Sequence, residues 1–180
     1  PHALLVLVRQ MTGDDEGART EYALAQKGVL TGPEREVERV ASLGAELLWM
    51  INSTRVAAGL RPLKPHPVLS LIATRHSEEM RDLGYFSHES PNPAHRTPAQ
   101  RFAEIFGFRP GFIAENIAMR NSSGFALTLD NVRASHTELM TSPGHRGNIL
   151  NAIVTDMGVG LAATRNGDFW VTEEFVRFVS

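Results

Sequence analysis

The chain has 180 residues, 42% of them hydrophobic, 21% charged and 7% aromatic, with no cysteine. These proportions belong to one globular domain and exclude a disordered segment, a collagen-like rod and a disulfide scaffold. Eighteen Lys and Arg against 20 Asp and Glu leave a formal charge of −2, so no basic excess draws the chain to phosphate backbones and nucleic acid is not an expected partner. At this length a core that buries about 70% of the unfolded chain's surface forms without staples, so a bound metal would serve function rather than folding. The lack of cysteine removes zinc knuckles, thiolate nucleophiles and redox pairs, yet fits a reducing or an oxidising compartment.

The early apolar run Ala3 to Val8 is too short to span a bilayer and is followed by Arg9, so no membrane span is expected. No secretory signal is visible in the sequence, which begins at Pro1. Residues 1–33 are the least readable part, and residues 1–43 are expected to be an N-terminal extension or added element, with the main domain over residues 44–180. Within the extension, Thr31-Gly-Pro-Glu34 has the form of a helix start: Thr31 as cap, Pro33 in the first turn and Glu34 three residues after the cap. Val37, Val40, Leu43, Leu47 and Ile51 then share one helical face, and Gly59 ends the segment.

A second helix is expected from Pro67, with Leu69, Ile72, Ala73, His76, Met80 and Leu83 on its apolar face and Gly84 as its stop. Thr97-Pro98 opens a third, short helix whose apolar side is Phe102, Ile105 and Phe106 and whose end is Gly107. Ile113 to Met119 reads as a strand. A fourth helix is expected from about Ala126 to Met140, carrying Leu129, Val132, His136 and Leu139, and stopping before Pro143-Gly144. Met157–Thr164 and Phe169–Val179 read as a hairpin joined by Asn166-Gly167, the dipeptide suited to a type I′ turn. Helices first and a hairpin last predict an α+β fold.

Two histidines lie in Gly- and Ser-rich punctuation: His88 in Tyr85-Phe86-Ser87-His88-Glu89-Ser90-Pro91, and His145 in Ser142-Pro143-Gly144-His145-Arg146-Gly147-Asn148. An imidazole in a loop can meet solvent or ligand, titrates near neutral pH and ligates Zn²⁺ when neutral. The bland alternative is a turn residue bonded to backbone, and a separation of about 57 residues does not resemble the i, i+4 pair of a helical zinc site. Glu115 sits in the middle of an apolar strand-like run. Burying its carboxylate costs several kcal/mol unless it is paired, so it either points to solvent or meets a cationic or N–H partner, a histidine being a natural one. His76 reads as a satisfied core histidine, and His136 and Glu138 read as a solvated face, with Glu138 a second acid only if the cleft reaches it. Ser87 and Ser142 lie near histidines, but no Gly-x-Ser-x-Gly elbow accompanies them and a serine hydrolase is not expected. Asn52-Ser-Thr and Asn121-Ser-Ser match the glycosylation acceptor by pattern alone.

Taken in order, the punctuated motifs resemble one family. They are Ile51-Asn52-Ser53-Thr54-Arg55 with Ala58-Gly59-Leu60; Ala73-Thr74-Arg75-His76-Ser77-Glu78-Glu79-Met80; Gly84-Tyr85-Phe86-Ser87-His88; and Ala114-Glu115-Asn116-Ile117-Ala118. Ser142-Pro143-Gly144-His145-Arg146-Gly147-Asn148-Ile149-Leu150 and Met157-Gly158-Val159-Gly160 complete the set. The sequence from about Leu47 to Phe178 resembles the CAP superfamily of cysteine-rich secretory proteins, antigen 5 and pathogenesis-related proteins, in its cysteine-free bacterial form.

The resemblance implies a three-layer α-β-α sandwich with a central antiparallel sheet, an extracellular location, and a cleft built from two histidines and two acids. His88 and His145 stand at the histidine positions and Glu115 at the first acid. Asn116 and Asn148 belong to the same motifs as cleft supports, and Glu138 is the nearest substitute for the second acid. The sequence departs from the pattern at Leu139, where bacterial members often have Trp, and at Thr172-Glu173-Glu174-Phe175, where Glu173 replaces a usual Gln. By resemblance, the expected function is a secreted, non-enzymatic binding protein whose His88/His145 pair holds Zn²⁺ weakly and whose cleft takes an apolar or lipid-like ligand, with an extracellular protein as a further partner. The alternative is a zinc-assisted hydrolase or protease using His88, His145 and Glu115, in which the metal activates water.

Overall fold

A computed structural model describes residues 33–120 and 127–179. The Thr31 cap, most of the 1–43 extension and Asn121 lie outside the described residues. Helix α1 (Pro33–Ala57) buries Leu43, Leu47, Leu48 and Ile51. Helix α2 (Pro67–Leu83) has proline in its first turn and ends at Gly84, whose φ of +69° no side-chain-bearing residue adopts cheaply. Helix α3 (Pro98–Phe106) begins with a complete capping box between Thr97 and Gln100. Strand β2 (Phe112–Arg120) follows, then helix α4 (Leu129–Thr141), which starts three residues later than its apolar periodicity predicts because the Thr128 side chain caps it by accepting from the Asn131 N–H.

Three elements depart from expectation. Ser142-Pro143-Gly144-His145 is not a loop: Pro143–Ile149 forms a short helix, α5, so His145 sits in its first turn. Proline fits there because the N–H it lacks would be unpaired in any first turn. Buried Arg55 secures the other end, with Nη1 donating to the carbonyls of Ile149 (2.7 Å) and Asn151 (2.8 Å). A two-residue strand, β1 (Lys64–Pro65), was invisible to periodicity. The hairpin of β3 (Asp156–Ala163) and β4 (Phe169–Arg177) is joined by a longer loop than a type I′ turn allows. Gly167 has φ +99° while Asn166 is not in the positive region, and the Gly167 N–H donates to the Thr164 carbonyl at 3.2 Å. One positive φ is what a three-residue loop with a glycine bulge requires.

The sheet order is β1-β3-β4-β2, antiparallel apart from the β1–β3 pair. It is the centre of an α+β sandwich, with α1, α4 and α5 on one face and α2 and α3 on the other. The register puts Val159, Glu173 and Asn116 on the first face and Gly158, Glu174 and Glu115 on the second. Helix α2 lies so close to β3 that a Cβ on Gly158 would stand 2.2 Å from the Ser70 nitrogen and one on Gly160 would stand 2.0 Å from the Thr74 nitrogen. Glycine at both positions is a steric condition of the sandwich.

Candidate functional site

Strand β2 is outermost in the sheet, and its midpoint carries the carboxylate that organises the site. Alternation turns Glu115 inward beneath α2 and α3, where it is 6% exposed. One oxygen receives His88 Nδ1 at 2.8 Å and the other receives Arg101 Nη2 at 2.5 Å. Burial alone would raise its pKa, but the His88 hydrogen bond and the charges of Arg101 and His76 outweigh it and hold Glu115 below the ordinary glutamate range. An ionised carboxylate only accepts, so His88 Nδ1 carries the proton and, in the neutral ring, Nε2 is left with a free lone pair. The His88 side chain is 48% exposed.

The loop bearing His88 is pinned from two sides. Arg101 Nη1 donates to the His88 carbonyl at 3.2 Å, and His76 Nε2 donates to the Ser87 carbonyl at 3.1 Å. His76 is 1% exposed, as expected of a core histidine, and burial lowers its pKa. Its Nδ1 faces Glu79 at 3.7 Å, and Glu79 in turn accepts from Tyr85 (2.7 Å) and Ser90 (2.8 Å). The cleft wall is therefore wired from α2 through the loop to β2.

Across the strand edge, α5 supplies the second histidine. Asn116 Nδ2 donates to the His145 carbonyl at 3.2 Å, and Asn148 Nδ2 donates to Asn116 Oδ1 at 2.8 Å and to the Glu115 carbonyl at 3.3 Å. Burial lowers the His145 pKa, and the nearby charge of His88 lowers it further. Five sequence-expected residues, His88, Glu115, Asn116, His145 and Asn148, thus converge on the middle of β2. Glu138 does not join them: it is 65% exposed and pairs with Arg120, about 17 Å along the strand from Glu115 at about 3.3 Å per residue. His136, expected on a solvated face, is 8% exposed and shares a 3.0 Å hydrogen bond with Thr54. Asn52, a glycosylation match by pattern, instead bridges the N–H and carbonyl of Leu63.

Two further acids lie beneath the site. Glu174 and Glu173 are both wholly buried on β4, directly opposite Glu115 and Asn116. Burial and the neighbouring Glu115 charge push the Glu174 pKa well up, so it holds its proton while Glu115 does not. Glu173 accepts from Asn116 at 2.9 Å, and burial pushes it up to about 7. As a neutral acid it can stand where the family pattern has an amide. Sequence reasoning missed Arg101, which sits between Gln100 and Phe102 on α3. The signal was available as a charge flanking an otherwise apolar helix face.

The donor set can be tested against zinc. His88 offers an oriented Nε2 backed by a carboxylate, the usual outer partner of a ligating imidazole. Among the described residues, however, no group of three or more His, Asp or Glu side chains is arranged to hold a metal ion. An ion held by His88 and His145 alone would take its other positions from water or ligand, unlike the four protein ligands of a closed structural site.

A model of the cysteine-rich secretory protein family matches residues 48–175. The uncharacterized protein YkwD of Bacillus subtilis (strain 168) is 33% identical over 137 residues, which cover 76% of this chain and 48% of that protein. The crystal structure of an extracellular protein containing an SCP domain from Bacillus anthracis str. Ames superposes with a TM-score of 0.67 at 28% identity, covering 83% of this chain and 45% of that one. An outer surface protein of Borrelia burgdorferi shares the fold, with a TM-score of 0.64 at 16% identity over 74% of this chain and 91% of that one. The chain spans about half the length of the two Bacillus proteins. No described helix is long and apolar enough to cross a membrane. The matched family region, the sandwich and the ordered motifs together establish that this chain belongs to the cysteine-rich secretory protein, or CAP, family.

Proposed function

We propose that this CAP domain works outside the cell as a binding protein, with a cleft between His88 and His145 that holds a divalent cation loosely and takes an apolar or lipid-like ligand beside it. One observation carries the reading: the Arg101–Glu115–His88 chain fixes a half-exposed imidazole through its Nδ1. When bound, zinc would supply Lewis-acid charge. His88 and His145 would hold it, and Glu115 would keep the His88 ring turned and its Nδ1 protonated. Leu83 and Phe86, 61% and 45% exposed, lie on the segment leading to His88 and would offer such a ligand apolar contact. The extracellular relative from Bacillus anthracis supports the location.

Titration of the protein with Zn²⁺, followed by native mass spectrometry and calorimetry, tests the reading. One ion should bind, and affinity should fall at least about tenfold in His88→Ala and in His145→Ala while Glu138→Ala binds as the parent does. A parent protein that takes no zinc, or histidine variants that retain it, would overturn the metal assignment. Displacement of a fluorescent fatty acid, weakened in Phe86→Asp, tests the apolar ligand. Zinc-dependent peptide or ester turnover lost in His88→Ala would replace the binding reading with the hydrolase one.

A further inference from the structure

The segment that carries His88, residues 84–97 between α2 and α3, has no apolar core of its own. Ser90 is its one buried residue, Tyr85 is partly buried and Phe86 is exposed. A segment with so little apolar burial is fixed by its polar contacts or opens readily. Within it, the Ser90 N–H donates to the Arg96 carbonyl at 2.8 Å. The flanking helices supply the other anchors: His76 holds the Ser87 carbonyl, and Arg101 Nη1 holds the carbonyls of His88 and Arg96.

Glu79 of α2 holds more of the segment than either. Tyr85 Oη donates to its Oε2 at 2.7 Å, Ser90 Oγ donates to its Oε1 at 2.8 Å, and His95 Nε2 reaches the same oxygen at 3.3 Å. Tyr85 precedes His88 while Ser90 and His95 follow it, so one carboxylate ties both flanks. Ser90 Oγ also accepts from the Asn92 N–H at 3.0 Å, and His95 Nδ1 lies 3.5 Å from Glu104 of α3, which braces the far flank between the two helices. Burial works to raise the Glu79 pKa, but the hydrogen bonds from Tyr85, Ser90 and His95 outweigh it, so the carboxylate stays ionised and acts only as an acceptor. Burial and the Glu79 charge push the Tyr85 pKa well up, so its hydroxyl remains a donor. His76 and Arg101 also face the Glu115 carboxylate, whereas no hydrogen bond or ion pair among the described residues joins Glu79 to Glu115 or His88.

We propose that Glu79 is a positioning residue for His88: it holds both flanks of the 84–97 segment so that the imidazole meets Glu115 through Nδ1, although Glu79 touches neither group. The assignment rests on the reading of His88 as the cleft imidazole. Glu115 supplies the acceptor that turns the ring, and Glu79 fixes the backbone from which the ring reaches that acceptor. A hydrogen bond weakens steeply once its distance and angle leave the ordinary range, so a segment released from Glu79 loses the 2.8 Å contact between His88 and Glu115. With that contact gone, a neutral ring is free to carry its proton on either nitrogen.

The test reads the His88 ring itself, without metal, by NMR of the nitrogen-labelled full chain at about pH 8, where an ordinary histidine is neutral. Long-range proton–nitrogen correlation reports which ring nitrogen carries the proton, and His88→Ala identifies the signal. The parent should show His88 protonated at Nδ1. Glu79→Ala should lose that single tautomer, and amides of residues 84–97 should exchange at least about tenfold faster while those of α1 exchange as in the parent. Glu79→Gln keeps the chain length and an acceptor oxygen, and should retain the tautomer. Tyr85→Phe combined with Ser90→Ala cuts the tie from the loop side with Glu79 in place; it should give the same loss, and it decides the matter if Glu79→Ala does not fold. A His88 tautomer unchanged in both the alanine and the double variant would overturn the proposal, as would faster exchange spread equally over α1, which marks a merely structural role. Because no zinc enters the measurement, a protein that binds no metal would sink the metal assignment and leave this one standing.

Discussion

On the α1 side of the sheet, Leu43, Leu47, Ile51, Val159, Leu161, Val171 and Phe175 belong to one apolar cluster. On the α2 side the apolar residues divide in two, with Leu69, Ile72, Phe102 and Val176 in one cluster and Met80, Ile117 and Trp170 in the other. Between these clusters, on helix and strands alike, lie His76, Ser77, Glu115, Thr172 and Glu174. Ser77 bonds Thr172 at 2.8 Å, and Glu115 bonds Arg101 and His88. The α1 face therefore stabilises the fold mainly by filling volume, with Asn116 and Glu173 as a buried polar pair within it, and the α2 face gives up more of that stability to hold ionisable groups at fixed positions. The contrast explains why His88, Arg101 and Glu115 gather on the α2 and α3 side, while His145 comes from α5 on the face of the large apolar cluster and is tied to the site through Asn116.

The sharpest way to break this comparison is Arg101→Met. It removes the guanidinium that neutralises buried Glu115, and losing one partner of a buried pair should cost about 3–5 kcal/mol in chemical denaturation. A loss below about 1 kcal/mol would mean that the polar band does not need its charge balance. Next comes Glu173→Gln. Because the folded pKa of Glu173 is about 7 against an ordinary value of 4.5, its favourable contribution is complete below about pH 4.5 and is lost as pH rises through 7. The amide variant should match the parent protein near pH 4 and exceed it by up to about 3 kcal/mol at pH 8, at 1.36 kcal/mol per pKa unit. Equal pH slopes for the two proteins would contradict the buried, protonated state. The smallest effect belongs to Glu138→Ala, which removes the mostly exposed partner of Arg120, a residue that keeps its bond to Ser135, and should change thermal stability by no more than about 0.5 kcal/mol. A larger loss there would extend the charge-dependent region to the far end of β2.

Where a local rule acted alone, the sequence was readable. Pro67, Gly84, Thr97 and Gly107 punctuate helices by their own conformational limits, and the structure places α2 and α3 between them as read. Pro143 and Gly147 look like breakers in isolation, yet α5 forms because Arg55, far away in the chain, binds the carbonyls at its end. Asn166-Gly167 suggested a two-residue turn, but the ladder closes at Ala163 and Phe169 and leaves room for a longer one. Glu115 stood out as an acid in an apolar strand, so its need for a partner was legible and the identity of Arg101 as that partner was not. The burial of Glu173 and Glu174 was equally hidden, since two adjacent acids on a strand point to opposite faces and ordinarily one of them reaches water.

The glycines that let α2 rest on β3 also set an order of events. Ser70 and Val159 meet through a 3.3 Å hydrogen bond although 89 positions separate them, and β3 and β4 are the inner strands of the sheet. During synthesis the helices that border the histidine site emerge before the hairpin on which they must dock, and such distant pairing is slow to form. A chain interrupted before Asp156 would carry His88, Glu115 and His145 without the sheet that brings them together. Site assembly is thus a late consequence of making the C-terminal hairpin, which makes ligand binding a report on completed folding.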